Sequence, residues 1–402
     1  MIEIVNKAKC CGCSACASKC PKQCIVMEED DEGFLYPKVS RELCVDCKLC
    51  ESVCPVLNEG TPHKPVKIYA ARNKNVNEVR QSSSGGVFTL LATKVLNQGG
   101  IVFGAKFNTS WEVEHCWIDK KVDIQSLMGS KYVQSRIGNT YQEARAFLNQ
   151  GKYVLFSGTP CQIAGLRRYL KRGYENLLTV DVVCHGVPSP LVWRNYLKEK
   201  QNALGISSEK DNGSFIGTIS FRNKSIGWRK FGLLIKGTNL SGEKVEWFES
   251  LSENPYLKGF LGNYYLRPSC HKCSARLGKS SSDITLADFW KIEQFSLMED
   301  TDEGTSLVLL HSRKAIDFFP YENLLYKETD YRTALVSNPS IFKSHIHQRK
   351  RERFWEKYDQ AVPLNSIISG IQLSVMDKII DGFSLLQNKI ESKLSYRKAL
   401  KK

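Results

Sequence analysis

Two short cysteine runs constrain this chain more than any other feature. Cys10, Cys13, Cys16 and Cys20 precede Pro21, and Cys44, Cys47, Cys50 and Cys54 precede Pro55. Both runs read C-x2-C-x2-C-x3-C-P. Three thiolates at that spacing wrap one face of an iron–sulfur cube, and the fourth reaches over to a second cube. The expected ligand sets are therefore Cys10, Cys13, Cys16 and Cys54 for one 4Fe-4S cluster, and Cys44, Cys47, Cys50 and Cys20 for the other. Paired zinc knuckles also use four thiolates each, but they do not explain a duplicated eight-cysteine pattern with both prolines in place. Cys11 and Cys24 fall outside the pattern and read as small buried apolar side chains.

The spacing is the signature of a bacterial two-cluster ferredoxin, expected over residues 1–60. A unit this small cannot bury an adequate core unaided, so cluster assembly and folding should be coupled. Its chemistry is one-electron transfer. Gly33-Phe34-Leu35-Tyr36-Pro37 reads as a short strand crossing between its halves. Ten of the fifteen cysteines lie in the first 54 residues, a metal-site distribution and not a disulfide framework. No apolar run approaches a membrane span and no secretory signal follows Met1, so a soluble cytoplasmic protein is expected, with peripheral membrane contact left open. Lys and Arg number 57 against 42 Asp and Glu, for a net charge of +15. That excess suits a phosphorylated ligand or an acidic electron carrier.

Asn58-Glu59-Gly60-Thr61-Pro62 is a linker by composition. A core domain is expected over 61–340 and a mainly helical basic region over 341–402. In the core, Ile68-Tyr69-Ala70-Ala71 starts a strand. Ser83, Ser84, Gly85 and Gly86 then lead into a helix from Val87 to Leu96, and hydroxyls and glycines at a helix N-terminus suit a phosphate or pyrophosphate. An ordinary serine-rich loop ahead of a capped helix is the alternative. Ile101–Phe107 and Glu112–Trp117 read as a strand pair. Lys131 follows in a polar segment ahead of a helix at about 137–149, and is a candidate cation for a phosphate or a flavin.

Tyr153–Phe156 reads as a buried strand, Ser157-Gly158-Thr159 as a tight turn, and Pro160 as the first residue of a helix. Cys161 then sits in a first helical turn, where the dipole favours a thiolate. Another strand, Leu178–Val183, ends in Cys184-His185-Gly186. The alternation predicts an α+β or α/β core with a mixed, partly parallel sheet, flanking helices and a ligand crevice at the strand ends. Phe215–Arg222, Phe231–Ile235 and Val245–Phe248 read as antiparallel strands, and Asp283–Trp290 as one more. Cys270-x2-Cys273 supplies two further thiolates. With Cys161 and Cys184 these form a candidate third 4Fe-4S site, with zinc and metal-free cysteines as the competing readings. Arg349-Lys350-Arg351 and Arg353 read as a solvated face, with an interface for a negatively charged partner as the alternative.

The ordered motifs resemble one family. They are Ser83-Ser84-Gly85-Gly86-Val87, Gly129-Ser130-Lys131-Tyr132-Val133-Gln134-Ser135, Ser157-Gly158-Thr159-Pro160-Cys161-Gln162, Val183-Cys184-His185-Gly186-Val187-Pro188-Ser189-Pro190, Leu266–Cys273, and Ser282-Asp283-Ile284-Thr285 through Asp288-Phe289-Trp290. Together they resemble the beta-subunit family of coenzyme F-420 hydrogenases and dehydrogenases. The resemblance is to the bacterial form with a fused two-cluster ferredoxin, often linked to surface-polysaccharide synthesis. It covers about residues 1–310 and departs at Lys291, where the family usually carries glycine.

The resemblance implies a flavin, usually FAD, beside an iron–sulfur cluster. Its candidate contacts are Ser83, Ser84, Gly85, Gly86, Lys131, Ser157, Gly158 and Thr159. Lys131 and His185 are the candidate catalytic groups, with Asp288 orienting the base. The expected function is a flavin-dependent oxidoreductase that passes electrons between clusters, a flavin and a small organic substrate. An unsaturated, keto or nucleotide-linked sugar intermediate is the candidate substrate. The partner is an electron-donor or electron-acceptor protein, or a reduced cofactor; no nucleic acid is expected, and the oligomeric state is left open. The rival readings are an electron-transfer subunit of a larger complex and a polysaccharide-assembly protein without turnover.

Overall fold

The computed structural model describes residues 1–207, 213–346 and 348–401; residues 208–212, His347 and Lys402 lie outside that description. At the N-terminus, β1 (Ile25–Glu29) pairs antiparallel with β2 (Leu35–Val39). The cysteine repeat is carried into the backbone. Gly12 and Ser14 adopt positive φ, and so do Asp46 and Lys48, each at the corresponding place in the second run. Left-handed residues there curl both loops inward, at a cost that the cluster and core interactions must offset.

The core supplies β3 (Lys67–Asn73), β4 (Ile101–Phe107), β5 (Val113–Ile118), β6 (Val154–Gly158), β7 (Leu177–Val182), β8 (Phe215–Asn223), β9 (Gly232–Thr238), β10 (Lys244–Ser250), β11 (Ile284–Asp288), β12 (Ser306–Leu310) and β13 (Leu324–Glu328). Eight of these form one mixed sheet in the order β13-β3-β12-β11-β7-β6-β4-β5. Strands β4, β6, β7 and β11 run parallel at its centre. The flanking strands join antiparallel. The mixed α/β architecture with a partly parallel centre is as the sequence predicts.

Apolar residues cover both faces of this sheet. Leu155, Leu178, Val180 and Val308 pack on one face with Val87, Leu91 and Val95 of the helix Val87–Asn97. Phe103, Val154, Phe156 and Leu177 pack on the other with the helices Thr140–Asn149 and Pro160–Leu170. Burial on both faces is what parallel strands require. A second sheet, β10-β9-β8, lies over an aromatic core that includes Trp193, Tyr256, Phe260 and Tyr265.

The C-terminal region contributes the helices Arg349–Lys357, Leu364–Ser369 and Val375–Lys401. Its basic cluster is not the solvated face that the sequence suggests. Arg351 is buried, pairs with Glu32 of the N-terminal unit and donates to the Leu266 carbonyl. Arg353 pairs with Asp377 and Glu356, Arg349 pairs with Glu352, and Lys350 lies over the Tyr264 ring. These cations bind the C-terminal helices to each other, to the core and to the ferredoxin unit. Among the described residues, no helix is long and apolar enough to cross a membrane.

Candidate functional site

Several of the N-terminal thiols lie close together. Cys20, Cys44, Cys47 and Cys50 line one small cavity of about 20 Å3, and Cys24 lines it too. Cys24 is buried with its sulfur 3.3 Å from that of Cys20, in keeping with a small core side chain. Cys10, Cys50 and Cys54 all bear electrostatically on Cys16, whose thiol is pushed up to about 12, chiefly by burial. Cys13 is in turn influenced by Cys16 and Cys10. The chain's own thiols therefore form two groups, one at the surface and one facing the core.

Three connections hold the inner group against the core. Arg267, fully buried, donates to the carbonyls of Cys10 and Leu35 at 2.8 and 2.9 Å and to Gln134 Oε1 at 2.9 Å. Gln134 Nε2 donates to the Cys11 carbonyl at 3.1 Å. The Ser189 hydroxyl donates to the Glu32 carbonyl at 2.5 Å. Gly12 passes so close to Arg267 and Gln134 that a β-carbon there would lie 2.8 Å from both side chains.

Cys161, Cys184, Cys270 and Cys273 line a second cavity, of about 70 Å3. Adjacent parallel strands β6 and β7 deliver Cys161 and Cys184 to it, and the short turn Pro268–Lys272 brings Cys270. Burial pushes the Cys270 thiol up to about 12 and also raises Cys184 well above the usual thiol range, while the neighbouring Cys11 thiol, and after it burial, raises Cys161. This overrides the helix dipole expected to favour a Cys161 thiolate. Sulfurs buried in this way become anionic when a cation takes the proton's place, so the donor set suits a thiolate-ligated cluster. Among the described residues, no group of three or more His, Cys, Asp or Glu is arranged to hold a single metal ion. Cys11 packs against the apolar core and also lines this cavity, where the Cys13 and Cys161 thiols bear on its own. It stands between the inner ferredoxin thiols and the third group.

The third group shares a wall with a cavity of about 670 Å3. Thr159, Val182, Val183, Cys184, Gly186, Val187 and Ser340 line both. The larger cavity lies at the carboxyl ends of the parallel strands, where open α/β sheets bind ligands. Its volume is within the ~300–1,000 Å3 usual for small-molecule sites. Ser83, Ser84, Gly86, Lys131, Ser157, Gly158, Thr159, His185 and Asp288 all line it. Hydroxyls and a lysine suit phosphate oxygens, and Val113, Val133, Phe260 and Trp290 supply apolar wall. A flavin dinucleotide fits this lining.

Several expectations need correction. Gly85 does not line the large cavity. Its N–H donates to Ser306 Oγ, and a β-carbon there would meet the Ala71 carbonyl at 2.5 Å, so it is a glycine of close sheet packing. Asp288 does not orient His185. Its carboxylate pairs at 2.5 Å with buried Arg222, while His185 Nε2 lies 2.8 Å from Asn263 Oδ1. Burial lowers the His185 pKa to about 4, so the ring is neutral at pH 7 and is no ready acid. Lys131 donates to the carbonyls of Met128 and Gly129, and burial lowers it to about 8.

Other cavity residues carried no local signal. His115 is buried in β5, with Nδ1 2.9 Å from Ser135 Oγ and Nε2 3.1 Å from the Ser157 carbonyl. Gln162 Nε2 also reaches Ser135 Oγ, and Gln162 Oε1 accepts from Thr159 N–H. A hydrogen-bonded file thus runs from His115 to Thr159 beside Cys161. Strand periodicity makes His115 half of an ordinary in-out pair, so only its tertiary partners reveal it.

The family described as the C terminus of the coenzyme F420 hydrogenase/dehydrogenase beta subunit matches residues 151–323, and the 4Fe-4S dicluster domain matches residues 9–58. The chain carries a segment of the coenzyme F420 hydrogenase/dehydrogenase beta-subunit family over residues 151–323, joined to a 4Fe-4S dicluster domain. The matched beta-subunit segment holds Cys161, Cys184, Cys270, Cys273 and Lys291, and the dicluster segment holds all eight ferredoxin cysteines. An uncharacterized protein of Methanocaldococcus jannaschii is 24% identical over 197 residues, covering 42% of this chain and 54% of that protein. An uncharacterized ferredoxin of the same organism is 38% identical over 52 residues, covering 13% of this chain and 66% of the ferredoxin. The chain thus spans about half and just under two thirds of these relatives. A chain of the F420-reducing nickel–iron hydrogenase complex from Methanosarcina barkeri aligns with a TM-score of 0.43 and 16% identity, covering 74% of this chain and 93% of that one. Ser83, Ser84, Gly86 and the Gly129–Ser135 segment precede the beta-subunit match, yet they line the same cavity as its strand ends.

Proposed function

We propose that this chain is an iron–sulfur flavoprotein oxidoreductase that exchanges electrons between its ferredoxin unit and a small organic substrate. The supporting observation is the wall shared by the thiol-lined cavity and the large one, centred on Thr159 and Cys184. In this reading residues 1–60 are the electron-transfer domain, 61–340 the catalytic core, and 341–402 a helical region that straps the two together. A flavin, when bound, supplies the exchange between single electrons and electron pairs.

The chain's own groups then divide the work. Cys161, Cys184, Cys270 and Cys273 hold a third 4Fe-4S cluster. Ser83, Gly86 and Ser157 to Thr159 hold FAD, and Lys131 supplies positive charge toward its phosphates or ring. His185, neutral and fixed by Asn263, orients a ligand by hydrogen bonding. Arg229 also lines the cavity, with its charge taken up by Asp300 and Glu293. A keto, unsaturated or nucleotide-linked sugar intermediate of polysaccharide synthesis fits that combination, in a cytoplasmic setting.

The test is flavin and iron released per chain from anaerobic, iron-replete protein. About one flavin and about twelve irons, as three four-iron clusters require, support the reading. Iron near eight removes the third cluster. Flavin near zero with intact clusters leaves an electron-transfer subunit that needs a catalytic partner.

A further inference from the structure

The helix Val375–Lys401 has two unlike faces. One is seated on the protein. Asp377, Asp381 and Ala399 are buried on it, and the Tyr396 ring lies 5.6 Å from that of Phe342. Both acids are taken up there. Asp377 pairs with Arg353 at 3.2 Å, while Asp381 accepts from the Arg349 N–H at 2.8 Å and lies in the field of Lys350.

The outward face is apolar. Met376, Ile379, Phe383, Leu386, Ile390 and Leu394 are between 47% and 69% exposed. At 3.6 residues per turn they fall within an arc of about 80°, nearly opposite Asp377 and Asp381. A helix seated by one face ordinarily turns polar side chains to water, so a continuous outward stripe of this kind marks a contact.

The charge around the stripe says what it meets. Lys378, Lys389, Lys393 and Arg397 are exposed, and Glu391 is the one exposed acid of this helix among the described residues. The three lysines run down one flank of the stripe, and Arg397 closes its far end. No acid among the described residues pairs with any of the four. Glu352 and Glu356 of the adjoining helix Arg349–Lys357 are each paired with an arginine of that helix. The alternation of three- and four-residue steps from Met376 to Ile390 would also suit a second copy of the helix. Face-to-face pairing, however, sets these cations against their like in either orientation, which is costly. An anionic bilayer accepts the stripe and the cations together, because long basic side chains reach headgroup phosphates from the edge of a buried face.

We propose that Val375–Lys401 lies in the surface of an anionic phospholipid membrane, with the six apolar side chains among the outer acyl chains and the four cations at the headgroups. Neither the flavin nor the clusters bear on this contact.

The experiment floats the anaerobic full-length holoprotein through a sucrose gradient with vesicles of phosphatidylcholine, alone or mixed equally with phosphatidylglycerol. Wild-type protein should partition into the mixed vesicles about tenfold more or better than into the neutral ones, and high salt should release part of it. F383E/I390E should lower the partition into mixed vesicles by about tenfold or more. K389Q/K393Q keeps the apolar stripe and should lose most of the preference for mixed vesicles. It serves should the first variant fail to retain iron or helix content. Flotation of both variants at the wild-type level would overturn the helix as the contact. Wild-type protein that floats equally with both kinds of vesicle would overturn the choice of anionic lipid. Wild-type protein that floats with neither would overturn the membrane contact altogether. If light scattering then shows a dimer that F383E/I390E converts to a monomer, the face belongs to a second copy.

Discussion

The Thr159 hydroxyl lies 3.2 Å from the Cys161 sulfur, at the wall between the thiol-lined cavity and the large one. Its one proton has two acceptors within reach, the Cys161 sulfur and Gln162 Oε1 at 3.0 Å; directed to a ligand sulfur, it stabilises the more negative, reduced form of a cluster and so raises its potential. Thr159→Val is expected to move the third site's midpoint potential to more negative values, and Thr159→Ser to hold it. Redox titration followed by electron paramagnetic resonance reads the shift. Thr159 also precedes the helix Pro160–Leu170, so the valine variant should lose about 1 kcal/mol from the cap. The serine variant should lose little. An unchanged potential in Thr159→Val would show the hydroxyl to be purely structural.

Arg267 makes the ferredoxin unit part of the core and not a tethered shuttle. Its guanidinium spans the Cys10 and Leu35 carbonyls and Gln134, and stacks 4.2 Å from the Tyr36 ring centre. Arg267→Met keeps much of the volume but orphans those acceptors, an expected loss of about 3 kcal/mol or more. Lysine should not rescue it, because a single ammonium cannot span the fork. Limited proteolysis should then cut near Asn58–Pro62 in both variants while the wild type resists. Equal resistance in all three would mean that Arg351–Glu32 and Ser189 suffice to hold the units together.

What the sequence disclosed and what it hid divide by distance along the chain. The eight ferredoxin thiols, the helix opened by Pro160 and the adjacency of Cys161 and Cys184 all follow from local spacing and strand–helix alternation. The central parallel strands follow from the same pattern. That Cys11 packs beside Cys161 could not be read, because the two are remote in sequence. Asp288 likewise found Arg222 across the aromatic core, a pairing that leaves no mark in either local motif. Gly85 shows the opposite failure. A glycine-rich turn before a helix looks the same whether its glycines admit a phosphate or a neighbouring strand, and here Gly86 faces the cavity while Gly85 faces the sheet. The basic run at 349–353 looked solvated only because Glu32 and Asp377 lie far from it in the chain.

Asp181 gives the fold a pH signature. It is buried, accepts from Ser280 at 2.5 Å and Thr285 at 2.6 Å, and burial raises its pKa from 3.8 to about 6. Between those values the folded chain holds a proton that the unfolded chain releases. Its contribution to stability is therefore full below pH 3.8 and is lost as pH rises through about 6, a swing of about 3 kcal/mol at 1.36 kcal/mol per unit. Asp181→Asn removes the ionisation while keeping the shape. Anaerobic melts should find the variant similar to wild type at the acid end of this window. It should be more stable above pH 6, by about 1–2 kcal/mol once the rearranged hydroxyl bonds are counted. A difference that does not change with pH would contradict a buried charge at this position.

Lys291 stands where the resemblance leads to an expectation of glycine, and its backbone is in the left-handed region that glycine adopts without strain. It sits at φ +59° and ψ +36° just after Trp290, and its carbonyl accepts from Gln294 N–H at 3.0 Å. The turn is kept, and the β-carbon of lysine meets the steric cost of a left-handed residue, about 1 kcal/mol. The side chain is exposed, so replacing it removes no packing. Lys291→Gly should therefore raise stability by about 0.5 kcal/mol, the relief of strain being partly offset by a freer unfolded chain. Lys291→Val should lower it by about 1 kcal/mol or more, because a β-branched residue tolerates this conformation least. Denaturant midpoints at matched iron content would measure both. Fluorescence of Trp290, stacked 4.5 Å from Trp228, would report whether the turn itself has moved. A glycine variant less stable than wild type would mean that the lysine side chain contributes more than its backbone conformation costs.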